Sequence, residues 1–289
     1  MVKSGEKKKK FAARWQELTA AASSLQNFAA SVSSTARDAF AESQTLTIER
    51  QTIFIDRLPP ELDGLRVVQL SDVHHSPYTD VAQIERVVEL ANELKPDLAV
   101  LTGDYVSHEI EYIKPVAEIL NKLKTNLGIF AVLGNHDNET STEETLKEFA
   151  ATNIKMLVNE GLRITKENAS LWLGGVDDVN TGDADIAKAL NGASENEIKI
   201  LLCHNPAILR RAANAKIDLV VSGHTHGGQI NLRSKTLDAL IPTKRRASGL
   251  NRRGSTQIYI SRGIGTVVLP IRYQCPPEIS LLELRTTTK

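Results

Sequence analysis

Five short apolar runs in this chain each end in a polar segment that carries Asp, His or Asn. The runs are VVQL, LAVL, IFAVL, KILL and DLVV, and they lead into SDVHH (71–75), TGDY (102–105), GNHD (134–137), CHN (203–205) and SGHTHGG (222–228). Continuous apolar runs of this length are typical of strands buried on both faces of a sheet. Ligand sites of open α/β sheets form at the carboxyl ends of such strands. The sequence therefore predicts that these polar residues meet at one edge of a sheet.

The residues at the strand ends have the donor chemistry of a metal site. They are Asp72, His74, Asp104, Asn135, His136, His204, His224 and His226, and they include five of the seven histidines in the chain. Imidazoles and carboxylates with one amide oxygen suit Zn²⁺, Mn²⁺ or Fe²⁺, and the set is too rich in nitrogen for Ca²⁺ or Mg²⁺. Such a set exceeds one tetrahedral site, so we expect two divalent ions and a bridging carboxylate. Unconnected polar loops are the alternative, which the convergence of separate motifs on one chemistry disfavours.

Helical and strand patterns alternate between these motifs. VAQIERVVELANEL has one apolar face and a capping-box spacing at Asp80 and Gln83, and STEETLKEFA repeats that spacing at Ser141 and Glu144. From LRITK onward the chain is dominated by strand patterns. The alternation predicts an α/β fold in which two mixed β-sheets pack together and are flanked by helices, over residues 45–289.

Residues 1–44 differ from the rest of the chain because they are rich in Ala and Ser. Apolar residues recur there at alternating spacings of four and three, at Phe11, Trp15, Leu18, Ala22, Leu25, Ala29, Val32, Ala36 and Phe40. This pattern predicts an extra N-terminal amphipathic helix outside the main fold. Two interpretations stay open. The helix packs on its own domain, or it lies on an anionic membrane surface, because Lys7–Lys10 directly precede Phe11 and Trp15.

Composition excludes several other classes of protein. The net charge is +0, so nucleic-acid binding is not expected. Cys203 and Cys275 are the only cysteines, which argues against a disulfide framework and for a reducing cytosol. No run approaches ~18 apolar residues, so no transmembrane helix is predicted. Arg14, Gln16 and Glu17 interrupt the place where a signal peptide would be apolar. We therefore expect a cytoplasmic protein, either free or peripheral on the inner face of the cell membrane.

The ordered motifs D-x-H, G-D, G-N-H-D, H-N and G-H-T-H resemble the calcineurin-like metallophosphoesterase superfamily over about residues 60–285. The tail YISRGIGTVVLPIRYQCPPEISLLEL is similar to a bacterial branch that includes membrane-associated phosphohydrolases and UDP-diacylglucosamine hydrolases of the lipid A pathway. Many members of that branch carry an N-terminal membrane anchor or export signal, whereas this chain begins with a lysine-led helix.

The resemblance implies a dinuclear-metal phosphohydrolase, in particular a phosphodiesterase or pyrophosphatase acting on a lipid-linked or nucleotide-linked phosphate. A soluble nucleotide or phosphomonoester phosphatase is the alternative within enzymes. A non-catalytic protein-binding scaffold of the same fold is a second alternative. The scaffold is disfavoured because every expected type of ligand is present.

The resemblance also implies a role for each motif residue. Ligands of one metal would be Asp72, His74 and His226; ligands of the other would be Asn135, His204 and His224. Asp104 would bridge the two ions, because a carboxylate offers two oxygens and about four lone-pair directions. His224 and His226 would point to the same side of an extended chain. Separate metals therefore require a local turn, which the neighbouring glycines permit.

Catalysis would then begin with attack on phosphorus by a hydroxide that bridges the two cations. His136 is expected to stabilise charge on the phosphate oxygens and to protonate the leaving group. Asp137 would either orient His136 or cap the loop that holds it.

Contacts to the phosphorylated small-molecule or lipid substrate are predicted at His75, Gln229 and Arg262. For His75 the extended chain favours a supporting role instead, because its side chain would point away from Asp72 and His74. A basic stretch from Arg233 to Arg253 has two interpretations, a patch that binds the anionic substrate and a solvated surface loop.

Overall fold

Two six-stranded sheets form the body of the protein. The computed structural model describes residues 34–231 and 248–287. The first sheet has the strand order β1-β12-β2-β3-β4-β5. Its strands are β1 (Thr47–Ile55), β2 (Leu65–Leu70), β3 (Leu98–Leu101), β4 (Ile129–Ala131), β5 (Ile154–Met156) and β12 (Glu278–Thr286). Its strands run parallel except that β12 is antiparallel to β2.

The second sheet has the strand order β10-β11-β9-β8-β7-β6. Its strands are β6 (Glu160–Lys166), β7 (Ala169–Gly175), β8 (Ile198–Leu202), β9 (Leu219–Ser222), β10 (Gly249–Arg253) and β11 (Thr256–Ile260). The outer pairs β6–β7 and β10–β11 are antiparallel, and the inner strands are parallel. Both sheets are mixed, which confirms the predicted architecture.

The core lies in three apolar layers, because each sheet is apolar on both faces. Val67, Val100 and Phe130 of the first sheet share the central layer with Ile200 and Leu219 of the second. The outer layers are covered by helices. These are α1 (Ser34–Ser43), α2 (Val81–Glu93), α3 (Ile113–Leu120), α4 (Asn135–Ala150), α5 (Ile186–Ala189) and α6 (Leu209–Asn214).

The two predicted caps both form a helix N-terminus. Asp80 accepts the backbone N–H of Gln83 at 2.9 Å and caps α2. Ser141 accepts the N–H of Glu144 at 3.2 Å, but it lies inside α4 at a kink with a φ of −170°. The first turn of α4 is therefore built from the GNHD segment, six residues before the start that the capping pattern indicates.

Helix α1 is the end of the N-terminal segment, and the rest of that segment lies outside the described residues. Ala39 and Ser43 face the domain, being 5% and 2% exposed, whereas Phe40 of the predicted apolar stripe is 40% exposed. The last turn therefore packs through a different face from the one that the stripe indicates. The boundary between residues 44 and 45 stays a prediction. Within 34–231 and 248–287, no helix is both long and apolar enough to cross a bilayer.

Candidate metal centre

The polar residues that follow β2, β3, β4, β8 and β9 come together at the carboxyl ends of both sheets. His204, which follows β8 of the second sheet, places its Nε2 atom 3.1 Å from Oδ2 of Asp104, which follows β3 of the first. His226, which follows β9, places its Nε2 atom 3.4 Å from Oδ1 of Asp72, which follows β2. The site therefore lies where the two sheets meet.

Several of these residues hold a left-handed backbone that side chains rarely adopt. The φ angles are 51° at Asp72, 48° at His74, 57° at Asp104, 72° at His224 and 49° at His226. Such conformations cost on the order of 1–3 kcal/mol each and persist only where the surrounding structure enforces them. The surrounding loops therefore hold these site residues in strained conformations.

The segment between the last two histidines contains the local turn that separate metal sites require. Thr225, between His224 and His226, has right-handed φ and ψ values of −87° and −13°. His224 consequently places its Nδ1 atom 3.2 Å from Nε2 of His204. The imidazole of His226 lies beside Asp72 and His74 instead. The two histidines thus face different halves of the site.

Two glycines allow the loops to approach one another. A Cβ atom at Gly134 would overlap the carboxylate and the backbone nitrogen of Asp104. A Cβ atom at Gly223 would overlap the side chains of Ser71 and Asp72. Glycine is required at both positions for the backbone to pass this close to the acidic residues.

The potential ligand atoms form three overlapping groups. Within each group, the atoms lie within 4.8 Å of one another. They are Asp72, His74 and His226; His74, Asp104 and His136; and Asp104, His204 and His224. Apart from Asn135, the first and third groups contain the two sets of ligands that the resemblance implies. Asp104 belongs to the third group and also to the second. His74 belongs to two groups, and its Nε2 atom lies 3.1 Å from that of His226 and 3.6 Å from Oδ2 of Asp104.

The atoms of this cluster fit divalent cations. Nδ1 of His204 lies 2.7 Å from the carbonyl oxygen of Thr102, which accepts only, so a neutral His204 presents the Nε2 lone pair to the site. Oδ2 of Asp72 and Oδ1 of Asn135 are buried without a hydrogen-bond partner. Buried acceptors without donors are costly, and lone pairs that face one another repel. A divalent cation beside such an acceptor would satisfy it.

Burial and the neighbouring charges set the protonation of the ligands. Burial lowers the pKa of His74 and of His226 well below the usual value, which keeps both imidazoles neutral, as metal ligation requires. Burial also opposes ionisation of Asp104, but His204 and His136 outweigh it and hold the pKa of Asp104 well below its usual range. Burial disfavours the charged form of His204, yet Asp104 raises its pKa to about 10. A bound cation would replace that proton.

His136 lies at the rim of the cluster and is half-buried. Its backbone N–H donates to Oδ1 of Asp104 at 2.9 Å. Its Nδ1 atom lies 2.9 Å from the carbonyl oxygen of Ser107, so Nδ1 carries the proton and Nε2 is left for the site. The ring lies 4.9 Å from that of His74. His136 therefore presents one nitrogen to the space beside the cluster.

His108 was not among the predicted site residues, yet its ring centroid lies 4.9 Å from that of His136. Burial, together with His136, lowers the pKa of His108 to about 3, so the residue is neutral near pH 7. It does not directly follow an apolar run, which is why the pattern of strand ends did not include it. The available signal was its position four residues after Asp104 in the same loop.

Asp137 caps loops and does not hydrogen-bond to the ring of His136. Its Oδ2 atom accepts the N–H groups of Asp104 and Gly134 at 2.8 Å, and its Oδ1 atom accepts that of Tyr105 at 2.8 Å. The ring of His136 is oriented by Ser107 instead. Of the two roles expected for Asp137, the structure therefore supports loop capping.

The three predicted substrate contacts have other partners. Nδ1 of His75 lies 2.9 Å from the carbonyl oxygen of Thr79, and the ring is buried. The Gln229 amide donates to the carbonyls of Val267 and Leu269 and accepts the Val267 N–H.

Arg262 is the third predicted contact, and it forms ion pairs with Glu278 at 2.9 Å and Glu49 at 3.2 Å. All three side chains thus have partners within the protein, and substrate binding by them stays a prediction. The partners of Gln229 and Arg262 are remote in the sequence, so the local pattern gave no sign of them, whereas Thr79 lies close to His75 along the chain.

Residues 65–228 match the family model described as calcineurin-like phosphoesterase. The chain belongs to the calcineurin-like phosphoesterase family. It is a hydrolase that acts on phosphoester bonds, and divalent metals are the cofactors of this family. The superfamily and the type of enzyme inferred from the motifs are thereby confirmed.

Three curated relatives illustrate the similarity. The "Uncharacterized metallophosphoesterase YkuE" of Bacillus subtilis is 30% identical over 86% of this chain and 88% of its own length. The "Phosphodiesterase YaeI" of Escherichia coli is 32% identical over 81% of this chain and 86% of its own. The bovine "Transmembrane protein with metallophosphoesterase domain" is 33% identical over 80% of this chain but only 55% of its own. The chain thus spans about half of that last relative.

Proposed function

We propose that this phosphoesterase cleaves a phosphodiester or pyrophosphate with two divalent cations, one in each ligand group. The observation that carries the proposal is the convergence of imidazole nitrogen and carboxylate oxygen atoms from both sheets around Asp104. Asp104 forms one group with His204 and His224 and another with His74 and His136, and His74 in turn belongs to the group of Asp72 and His226. Mn²⁺, Zn²⁺ and Fe²⁺ suit this donor set.

Asp72, His74 and His226 would hold one cation, Asn135, His204 and His224 the other, and Asp104 would touch both. Such cations lower the pKa of water and stabilise negative charge on phosphate oxygens. The resemblance assigns Asn135 to the second group, and its Oδ1 atom is buried without a hydrogen-bond partner in the protein. The left-handed backbone at five of these residues supports a set of ligands held in place before a cation binds.

His136 would act on the substrate and not on the cations. Its Nδ1 proton is held by Ser107, and this hydrogen bond fixes the ring with Nε2 towards the cluster. In the protonated form, Nε2 would donate to a phosphate oxygen and pass its proton to the leaving oxygen. His108 packs against His136 and would line the space that the leaving group occupies.

We further propose that the substrate is lipid-linked or nucleotide-linked and that residues 1–44 place the enzyme at an anionic membrane surface. Support comes from Lys7–Lys10, Phe11 and Trp15 in the sequence and from Phe40, which is 40% exposed on α1. One relative is named as a transmembrane protein and another as a phosphodiesterase.

Metal content and turnover of the purified chain test this function. We expect about two metal ions per chain after loading with Mn²⁺ and faster hydrolysis of bis-p-nitrophenyl phosphate than of p-nitrophenyl phosphate. UDP-linked and lipid-linked diesters complete the panel. Preference for the monoester would favour a phosphomonoesterase instead. A metal-loaded chain without turnover on any member would favour the protein-binding scaffold.

A further inference from the structure

A fully buried arginine lies behind one half of the metal centre. Arg272 is 0% exposed, and its guanidinium donates to the carbonyl oxygens of Gly265, Arg262 and Cys275. Its Nη2 atom also lies 3.5 Å from Nδ1 of His226. Buried arginines are rare unless their donors are paired. Here the pairing joins the backbone on both sides of the 262–275 segment.

The 262–275 segment touches each ligand of the Asp72–His74–His226 group. The N–H of Gly265 donates to the carbonyl oxygen of Asp72 at 2.7 Å. A Cβ atom on Gly265 would come within 2.9 Å of Cβ of His74, so the backbone lies directly against that side chain. Sγ of Cys275 donates to the carbonyl oxygen of His226 at 3.1 Å. The 262–275 segment therefore packs directly against these three ligands.

Helix α1 holds the same segment from its other side. The N–H of Arg272 donates to the carbonyl oxygen of Ala39 at 2.9 Å, and Oγ of Ser43 donates to that of Pro270 at 3.2 Å. The Glu42 carboxylate accepts two backbone N–H groups, from Gln274 at 3.0 Å and from Cys275. A carboxylate that accepts backbone N–H groups forms charge-assisted hydrogen bonds, which are stronger than neutral ones.

We propose that Glu42 is a positioning residue for the Asp72–His74–His226 metal site, so that α1 belongs to the support of that site. Glu42 fixes residues 274–275, Cys275 donates to the carbonyl oxygen of His226, and Gly265 donates to that of Asp72. In the described part of the chain, the hydrogen bonds from α1 to other elements go to residues 270–275. The effect of Glu42 should therefore be selective for this half of the centre. The inference rests on the proposed function only in taking these three residues as metal ligands.

Manganese binding to the 289-residue chain tests this selectivity. The variants are Glu42→Ala, Glu42→Gln and, as a matched control, Asp38→Asn, which changes an exposed carboxylate on the same helix. Equilibrium dialysis gives the affinity of each Mn²⁺ ion, and electron paramagnetic resonance separates a coupled Mn²⁺ pair from an isolated ion. Loss of an outer support of a metal ligand weakens binding by about 10–100-fold.

We expect Glu42→Ala to bind one Mn²⁺ ion with wild-type affinity and the other about tenfold more weakly. At low Mn²⁺ concentration, its paramagnetic resonance spectrum should therefore be that of an isolated ion. Glu42→Gln should show a smaller loss, because its amide oxygen still accepts a hydrogen bond. Asp38→Asn should match the wild type. The retained ion also reports that the variant is folded.

Two results would overturn the inference. Equal weakening of both ions would make α1 a general stabiliser of the fold, and unchanged binding in both Glu42 variants would remove the residue from the metal centre. A wild-type chain that binds no metal contradicts the proposed function itself. Normal wild-type binding with unchanged Glu42 variants contradicts this inference alone.

Discussion

The Oδ2 atom of Asp137 lies 2.8 Å from the backbone nitrogen of Asp104, and the two residues come from loops on neighbouring strands. In the opposite direction, the Oδ1 atom of Asp104 accepts the N–H of His136, the residue before Asp137, at 2.9 Å. The reciprocal bonds lock the GD and GNHD loops together. The residue that would bridge the metals and the residue that would protonate the leaving group are thus held in one hydrogen-bonded unit.

We expect Asp137→Ala to destabilise the fold, because three buried N–H groups lose their acceptor. The free energy of unfolding should fall by about 3 kcal/mol or more, since each unsatisfied buried group costs roughly 1–3 kcal/mol. Urea unfolding of the metal-free protein measures this change. Asp137→Asn should lose less, because its amide oxygen still accepts. Asp183→Ala, at an exposed carboxylate, is the control and should change stability by less than about 0.5 kcal/mol. A wild-type stability for Asp137→Ala would contradict the capping role.

The sheet and the site edge were predictable because both follow from local chemistry. Apolar runs such as LAVL form strands buried on both faces, and the residue after each run falls at the carboxyl end of its strand. Other features depend on contacts between distant segments. Strand β12 pairs with β1 from the opposite end of the chain, and Gln229 finds its partners at residues 267–269. No local pattern encodes such partners.

The same distinction applies to individual residues at the site. Arg262 follows a strand and is cationic, which suits a phosphate ligand, but Glu49 and Glu278 compete for it. His108 was missed because the turn of the loop, and not a strand end, brings its ring to His136. Sequence position identifies candidates, whereas the tertiary partners decide what each side chain does.

Metal ligands and the proposed general acid should be separable by substitution. Asp104→Asn and His224→Ala each remove a donor from the cluster, so both variants should lose metal and nearly all activity. His136→Ala should keep about two metals per chain and lose kcat by ~10²–10⁴-fold, as is typical of a general acid. Elemental analysis of each purified variant, alongside turnover, measures the difference. A metal-free His136→Ala protein would show that His136 is a ligand.

His108 should make the metal-free protein sensitive to acid. Its pKa is lowered to about 3 in the folded state by burial and by His136, whereas the unfolded chain has a value of about 6.5. Between those values the unfolded state binds the extra proton, so the contribution to stability is present above pH 6.5 and is lost as the pH falls towards 3.

The His108→Gln variant isolates this effect. Thermal unfolding of both proteins in chelator should be compared between pH 8 and pH 4. The melting temperature of the variant, relative to that of the wild type, should rise as the pH falls below 6.5, because the variant lacks the group whose protonation favours unfolding. A difference that stays constant across this range would mean that His108 is protonated equally in both states.

The N-terminal segment should bring the enzyme to anionic membranes. Near an anionic leaflet each lysine of Lys7–Lys10 contributes about 1 kcal/mol, and Phe11 and Trp15 add apolar burial at the interface. The sum predicts reversible binding that salt weakens. The intact protein should sediment with anionic vesicles, be released by high salt, and remain in the supernatant with neutral vesicles. A matched variant with Lys7–Lys10 replaced by Gln should not sediment with either kind of vesicle.

A shortened chain that begins at Ser34 is the control for catalysis. It keeps α1, whose Ala39, Glu42 and Ser43 contact the segment beside the metal centre. This chain should stay in the supernatant with anionic vesicles and retain turnover of a water-soluble diester. If the intact protein shows no preference for anionic vesicles at low salt, residues 1–44 do not bind membranes. A nucleotide substrate in solution then becomes the better expectation, because nothing would hold the enzyme at a lipid surface.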